Sequence, residues 1–242
     1  MPRGQPDYQV LETETTHTEI GAINGNVYDI GFSRFDGGGR IVWFDDFRNG
    51  MYRCKGQGSN GGAIPVAKFI SGNTMGFGSS IELDPLVNGG SSVMNIFRML
   101  PTSGNVGIEF GFHATPLHGN FIMNFVDYIS NAAHPHTVLS IWEPDNDIKI
   151  SSGGNTITVY DTSNPTFLSA YGFSLKLVIN PLLGSYHSLW IANSRIDLSS
   201  YPLVAPGNGQ DGICEAIFSC TGTASYHEPF YIDYVAISAD EP

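Results

Sequence analysis

From about residue 21 onward the chain is cut into short apolar segments by Gly, Pro or Asn-Gly, the pairs Asn24-Gly25, Asn49-Gly50 and Asn88-Gly89 among them. Breaks recurring every ~8–12 residues leave room for strands and too little for helices. Asn-Gly also supplies the positive φ angles that tight hairpin turns need. Segments such as SSIELDPL (79–86), VGIEFGFHA (106–114), FSLKLVIN (173–180) and FYIDYVAIS (230–238) alternate apolar and polar residues, as half-buried strands do. In the last, strict alternation puts Phe230, Ile232, Tyr234, Ala236 and Ser238 on one face, and Tyr231, Asp233, Val235 and Ile237 on the other. The nearest approach to a helical stripe is FIMNFVDYISNAA (121–133), with Phe121, Phe125 and Tyr128 or Ile129 in spacing; it is expected to be a strand.

These signals predict an all-β sandwich. At 242 residues roughly 70% of the extended chain's surface can be buried in one core. No composition break divides residues 21–242, which are expected to form a single domain. Residues 1–20 are polar, with ETETTHTE at 12–19, and are expected to be an extended arm whose assembly contacts are Pro2, Arg3, Tyr8, Val10 and Leu11.

Charged residues are 14% of the chain, 11 basic against 23 acidic, for a net charge of −12. A surface of that sign repels phosphate backbones and anionic headgroups, so neither a nucleic acid nor a membrane is expected as a partner. No apolar run approaches the ~18–20 residues of a membrane span. If Met1 is the native start, the sequence that follows lacks the apolar centre of a signal peptide, and ordinary secretion is not expected. Cys54, Cys214 and Cys220 match no zinc or redox spacing. All three are expected to be reduced thiols behaving as small hydrophobes; Cys214 and Cys220 are close enough in sequence to share one strand or hairpin.

Three stretches carry a resemblance. IVWFDDF (41–47) resembles the opening strand of concanavalin-A-like jelly-roll domains, FYIDYVAIS (230–238) resembles their closing strand, and FSLKLVINPLLGSYHSLWIANSRIDLSSYPL (173–203) resembles a recurring hairpin between them. The resemblance implies a concanavalin-A-like jelly-roll β-sandwich over residues 41–238 with its first and last strands side by side. MPRGQPDY, followed later by RFDGGGRIVWFDDF, is similar to a group of tailed-phage structural proteins. That second resemblance implies a virion protein, made in the host cytoplasm, that decorates or cements a capsid or sits on a tail. Its partners would be the major capsid protein or tail proteins, and further copies of itself in a homo-oligomer.

The residues that might carry chemistry argue for binding over catalysis. Laminarinase-type hydrolases of this fold class use Glu-x-Asp-x-(x)-Glu on one strand face. The nearest stretch here, Trp142-Glu143-Pro144-Asp145-Asn146-Asp147, has a proline that cannot donate to a central ladder. It also separates Glu143 from Asp147 by about 13 Å if extended, against the ~5–5.5 Å of a retaining pair. A hairpin turn is the expected role. Glu82, with Asp84, and Glu109 lack a partner acid arranged for catalysis. His134-Pro-His136 would need a third ligand to hold a metal. No Gly-x-Ser-x-Gly elbow occurs, and GGGR (37–40) lacks the Lys-Ser/Thr of a phosphate loop. No catalytic residue and no obligate cofactor are therefore expected. Asp145, Asn146 and Asp147 are the calcium candidates, with Asp211 in another loop, because calcium takes six to eight hard oxygens.

Each of Trp43, Trp142 and Trp190 lies in an apolar strand and is expected in the core. The candidates for contact with a host surface glycan are Trp142 and the loop residues Asn88 and Asn208. A lectin-like module or virion adhesin is thus the alternative to the structural role, and a glycoside hydrolase the less favoured one.

Overall fold

The computed structural model describes residues 40–48, 50–51, 53–68, 79–98, 104–114, 120–128, 136–142, 147–161, 173–191, 194–204, 213–223 and 229–241. The arm candidates Pro2, Arg3, Tyr8, Val10 and Leu11 lie outside them. Among the described residues every regular element is a strand.

Among the described residues, fifteen strands form two antiparallel sheets. The eight-stranded sheet holds β1 (Arg40–Asp45), β3 (Val66–Lys68), β4 (Ser80–Leu83), β6 (Asn105–Ala114), β11 (Phe173–Asn180), β12 (Ser185–Ile191), β13 (Ser194–Asp197) and β15 (Phe230–Glu241). Its order is β13-β12-β11-β6-β15-β4-β3, and β1 pairs with β15. The seven-stranded sheet holds β2 (Lys55–Ser59), β5 (Ser91–Arg98), β7 (Asn120–Tyr128), β8 (His136–Trp142), β9 (Asp147–Ser152), β10 (Asn155–Tyr160) and β14 (Ile213–Thr221), in the order β10-β9-β8-β7-β14-β5-β2. The stretch 121–128 is a strand, as expected, and the first and last described strands are neighbours.

The core lies between the sheets. Phe110, Phe112 and Phe230 of one sheet meet Phe121 and Phe218 of the other: Phe121 stacks on Phe230 at 3.8 Å between centroids, and Phe110 meets Phe218 edge-on at 5.3 Å. Truncating any of these to Ala would cost about 3–5 kcal/mol. The Asp-Asp-Phe motif closes β1. Asp45 Oδ1 accepts the Phe47 amide at 2.9 Å, and Phe47, at φ 56°, drops fully buried into the core.

Strict alternation fails in β15. The register shifts between Ile232 and Tyr234, so Asp233 is the extra residue of a bulge. Phe230, Ile232, Val235 and Ile237 all belong to the main core, while Tyr234 and Ala236 pack with Ile41 and Phe44 on the other face. The expected grouping of Phe230 and Ile232 with Tyr234 and Ala236 is therefore corrected. A bulge inserts one residue and reverses the parity beyond it. Asp233 is fully buried and accepts a hydrogen bond from Ser80 Oγ at 2.5 Å.

That second face of the eight-stranded sheet is withdrawn from water over its middle and carries a polar network. Tyr234 donates to Glu109 at 2.8 Å and shares a 2.8 Å hydrogen bond with Ser174. Lys176 Nζ meets Glu241 Oε2 at 2.7 Å with both side chains fully buried, and Ser238 donates to the other Glu241 oxygen. Gly107 lies beneath this pair. A Cβ there would stand 2.5 Å from Ser238 Oγ and 2.9 Å from Lys176 Cε.

Candidate functional site

The seven-stranded sheet also has an outer face, and it differs in kind. Core positions such as Ile96, Phe218, Met123 and Leu139 fix one parity of each strand, and the alternate positions form register rows across the opposite face. One middle row runs Asn95, Ile217, Asn124, Val138. Asn95, Ile217 and Asn124 are half-buried, so amides and an aliphatic side chain remain in reach of solvent there.

The row at one end of this face runs Ser91, Thr221, Asn120, Trp142, Asp147. Neighbouring strands lie ~4.8 Å apart, which sets these positions within about 20 Å of one another. Alternation alone places position 142 in this row, because its neighbour Ile141 pairs with the core positions Phe121 and Ile148. The side chain of Trp142, expected in the core, lies outside the described residues; only its backbone position in the ladder is given.

Asn88 joins the same end. It is exposed on the turn between β4 and β5, and that turn is tied to the chain just beyond Thr221: Gly89 N donates to Gly222 O, and Gly222 N to Gly90 O, both at 3.0 Å. Asp84 Oδ1 accepts the Leu86 amide at 2.8 Å and holds Leu86 at φ 58°. Gly90 has to be glycine, since a Cβ would run into the Pro85 carbonyl oxygen. Leu86 and Val87 are exposed beside Asn88, so the rim offers an amide flanked by apolar surface.

Among the described residues, the outer-face positions of β5, β7, β8 and β14 include one carboxylate, Glu215. It is 9% exposed and accepts a hydrogen bond from Asn95 Nδ2 at 2.5 Å. The acid at the far rim, Asp147, lies three rows away, about 20 Å along the strands. A glycosidase pair needs ~5–9.5 Å. The other two acids singled out in the sequence have structural partners. Glu82 pairs with Lys68 Nζ at 2.5 Å, and Glu109 is held by Tyr234. Asp84 falls beyond the end of β4 and caps the turn, so it does not continue a strand face with Glu82.

Asp145, Asn146 and Glu143-Pro144 lie outside the described residues, as do Asn208, Asp211 and His134. The strands on either side of residues 143–146 pair as a hairpin, with Trp142 opposite Asp147. The described residues do not fit a calcium cage around Asp147. Its Oδ2 already lies 3.6 Å from Lys149 Nζ and 3.4 Å from Thr158 Oγ1, and a cation and a hydroxyl donor at that oxygen compete with a metal. No group of three His, Cys, Asp or Glu suited to a metal occurs among the described residues. His136 opens β8 at the opposite end of the face from Trp142.

Trp43 packs partly buried against the core, as expected. Trp190 does not: it is half-buried on the outer face of the eight-stranded sheet, with Arg195 Cζ 5.6 Å from its ring centroid. Cys214 and Cys220 both lie on β14, about 20 Å apart at ~3.3 Å per residue. That exceeds the ~7 Å limit for a disulfide between them. Cys54 and Cys220 form no disulfide, and burial pushes the Cys220 thiol up to about 12. The sequence reading missed Asn120, Thr221, Asn95 and Glu215; alternation within IFRML-type and EAIFSCT segments was the signal that could have placed them on one face.

Solved structures that share this architecture include three carbohydrate-related proteins. The endo-β-1,3-glucanase from Pyrococcus furiosus aligns with a TM-score of 0.53 at 10% identity, over 86% of this chain and 98% of that one. The potassium-bound carbohydrate recognition domain of Emp46p aligns at 0.51 and 10% identity, over 84% and 94%. Peanut lectin aligns at 0.50 and 10% identity, over 81% and 96%. The fold is thus the concanavalin-A-like jelly-roll β-sandwich that the resemblance implied. No protein-family model and no curated protein matches the sequence.

Proposed function

We propose that this chain is a non-catalytic carbohydrate-binding β-sandwich that contacts a glycan through the rim carrying Asn88, Thr221, Asn120 and Trp142. The observation that carries the reading is the convergence at this rim. The register gathers an aromatic position, two amides and a hydroxyl at one end of one sheet, while the same face's central strands contribute a single carboxylate. Sugar recognition needs donors and acceptors beside an apolar surface. Hydrolysis needs two acids whose environments set their pKa values apart. The lectin and carbohydrate-recognition domains that share the fold support binding; the glucanase shows that the fold also hosts hydrolysis, and the acid spacing is what weighs against it here. Calcium is not required by this reading.

The test is a glycan array followed by titration calorimetry on each hit, with and without EDTA, and a reducing-end assay on the same glycans. Binding lowered at least tenfold by Trp142→Ala and by Asn88→Ala, with no sugar released, is the expected result. An array without hits, or release of reducing ends, refutes it.

A second reading concerns location. The MPRGQPDY start and the RFDGGGRIVWFDDF segment favour a virion component, a capsid decoration or tail protein assembled as a homo-oligomer. Jelly-rolls with terminal arms are suited to packing around a symmetry axis. Cryo-electron microscopy of a particle containing the chain tests it: density on the shell or tail is expected, and a particle without it refutes the reading.

A further inference from the structure

The free edge of the eight-stranded sheet carries a second cluster. In β12 the core positions are Tyr186, Leu189 and Ile191. The register with β11 shifts between Val178 and Ile179, where Val178 faces Ser188 and Ile179 faces Tyr186. His187 is therefore the extra residue of a bulge, the kind of feature that re-aims side chains. Across the edge, Trp190 pairs with Arg195 and Ser188 with Asp197. Arg195 and Asp197, two residues apart, share the face opposite Ile196, which packs against the core.

Both charged side chains are exposed, and neither makes an ion pair among the described residues. Arg195 is placed by its ring partner: its Cζ lies 5.6 Å from the Trp190 centroid. Such stacking uses the guanidinium's flat face and leaves its N–H edge for other acceptors. Asp197 is positioned by Ser199, whose amide donates to Oδ1 at 2.9 Å. The backbone and side-chain hydrogen bonds from Ser199 hold its carboxyl below the usual range, helped by Arg195 and His187. The result is a five-donor fork and an acceptor on one strand face, their Cα atoms about 7 Å apart.

We propose that Arg195 and Asp197 form a second sugar site, which takes a neutral hexose through a pair of adjacent hydroxyls, with Trp190 as the positioning residue for Arg195. Arg195 donates to the hydroxyl oxygens, and Asp197 accepts from the hydroxyl protons. The choice of a neutral sugar follows from charge. The local pair sums to zero, and a chain of net −12 repels anionic saccharides. This inference shares with the proposed function the premise that the chain binds carbohydrate. It places a separate contact on the other sheet, so one subunit would engage a glycan at two points.

The experiment is nuclear magnetic resonance titration of the full chain with methyl glucoside, methyl galactoside, methyl mannoside and methyl glucuronide. The readouts are the Trp190 indole and Arg195 side-chain resonances, followed to about 50 mM, well above a Kd of ~1 mM. At least one neutral hexoside is expected to shift both signals. Arg195→Ala and Asp197→Asn are each expected to weaken that binding at least tenfold, and Trp142→Ala is expected to leave it unchanged. Both substitutions fall on exposed side chains, and an unchanged amide spectrum elsewhere establishes that the variants are folded. No shift with any neutral hexoside, or a stronger response to the glucuronide, overturns the proposal. Loss of array binding in Trp142→Ala with these signals silent would overturn this site and leave the rim reading standing.

Discussion

Lys176→Met is the sharpest test of how the eight-stranded sheet tolerates charge on its covered face. Lys176 Nζ lies 2.7 Å from Glu241 Oε2, and both side chains have no exposure at all. At an effective dielectric of about 20, charges at that distance attract by roughly 6 kcal/mol before desolvation is counted. Removing the cation leaves Glu241 with the Ser238 hydroxyl, and Lys176 also stands directly opposite the buried Glu109 in the ladder. Breaking a buried pair by deleting one member costs about 3–5 kcal/mol. For a chain of this length each kcal/mol moves Tm by roughly 2–4 °C, so the midpoint is expected to fall by about 6–20 °C. The double variant Lys176→Met with Glu241→Gln removes both charges and is expected to recover most of the loss, because an apolar and a neutral group leave no uncompensated ion. The assay is urea unfolding of wild type, both single variants and the double, with m-values compared to establish that the same transition is followed. A single-variant cost below ~1 kcal/mol, or a double variant as unstable as the sum of the singles, would refute the reasoning.

Gly107→Ala is expected to destabilise by about 1–3 kcal/mol through overpacking. Its cost should shrink in the Lys176→Met background, since the added Cβ meets the same cluster. Cys220, pushed up to about 12 by burial and the Asp84 charge, should hold only about one part in ten thousand thiolate at pH 8. It is expected to resist a thiol reagent in the native chain and to react on denaturation; prompt native-state labelling of Cys220, located by mass spectrometry, would contradict this. The Asp197 carboxyl is held below the ordinary aspartate value in the folded chain, chiefly by the Ser199 hydrogen bonds. A depressed carboxyl contributes stability above its unfolded value, and that contribution is lost as pH falls through its folded value. Asp197→Asn should therefore lower Tm at neutral pH and match wild type in strong acid; a gap that persists at acid pH argues against the assignment.

Local pattern reached far into this fold. The alternation of 173–180 and the turn signals around it set β11 and its hairpin, and the composition of 121–128 was enough to prefer a strand. The reading stumbled where one residue is inserted without a sequence mark. Asp233 and His187 look like any polar residue within a strand. A bulge is chosen only when two strands of unequal demand must share a ladder, and each bulge reverses the parity that period-two reasoning carries forward. Tyr234 was assigned to the wrong face for that reason.

The candidate site shows the same division. Trp142 and Asn88 could be singled out from the chain because aromatic and amide side chains are the chemistry a sugar needs, but nothing in their spacing joins them to Asn120 and Thr221. Those residues meet only because β14 lies between β5 and β7, and because Gly89 and Gly90 exchange hydrogen bonds with Gly222. The amino-acid sequence by itself determined most of the strands, since period and turn residues are local properties, and its resemblance to concanavalin-A-like domains implied that the first and last of them are neighbours. The tertiary structure alone decided which strands lie side by side, in what register, and which charges are buried together, because those depend on pairings between residues more than a hundred positions apart, such as Tyr234 with Glu109 and Asn95 with Glu215.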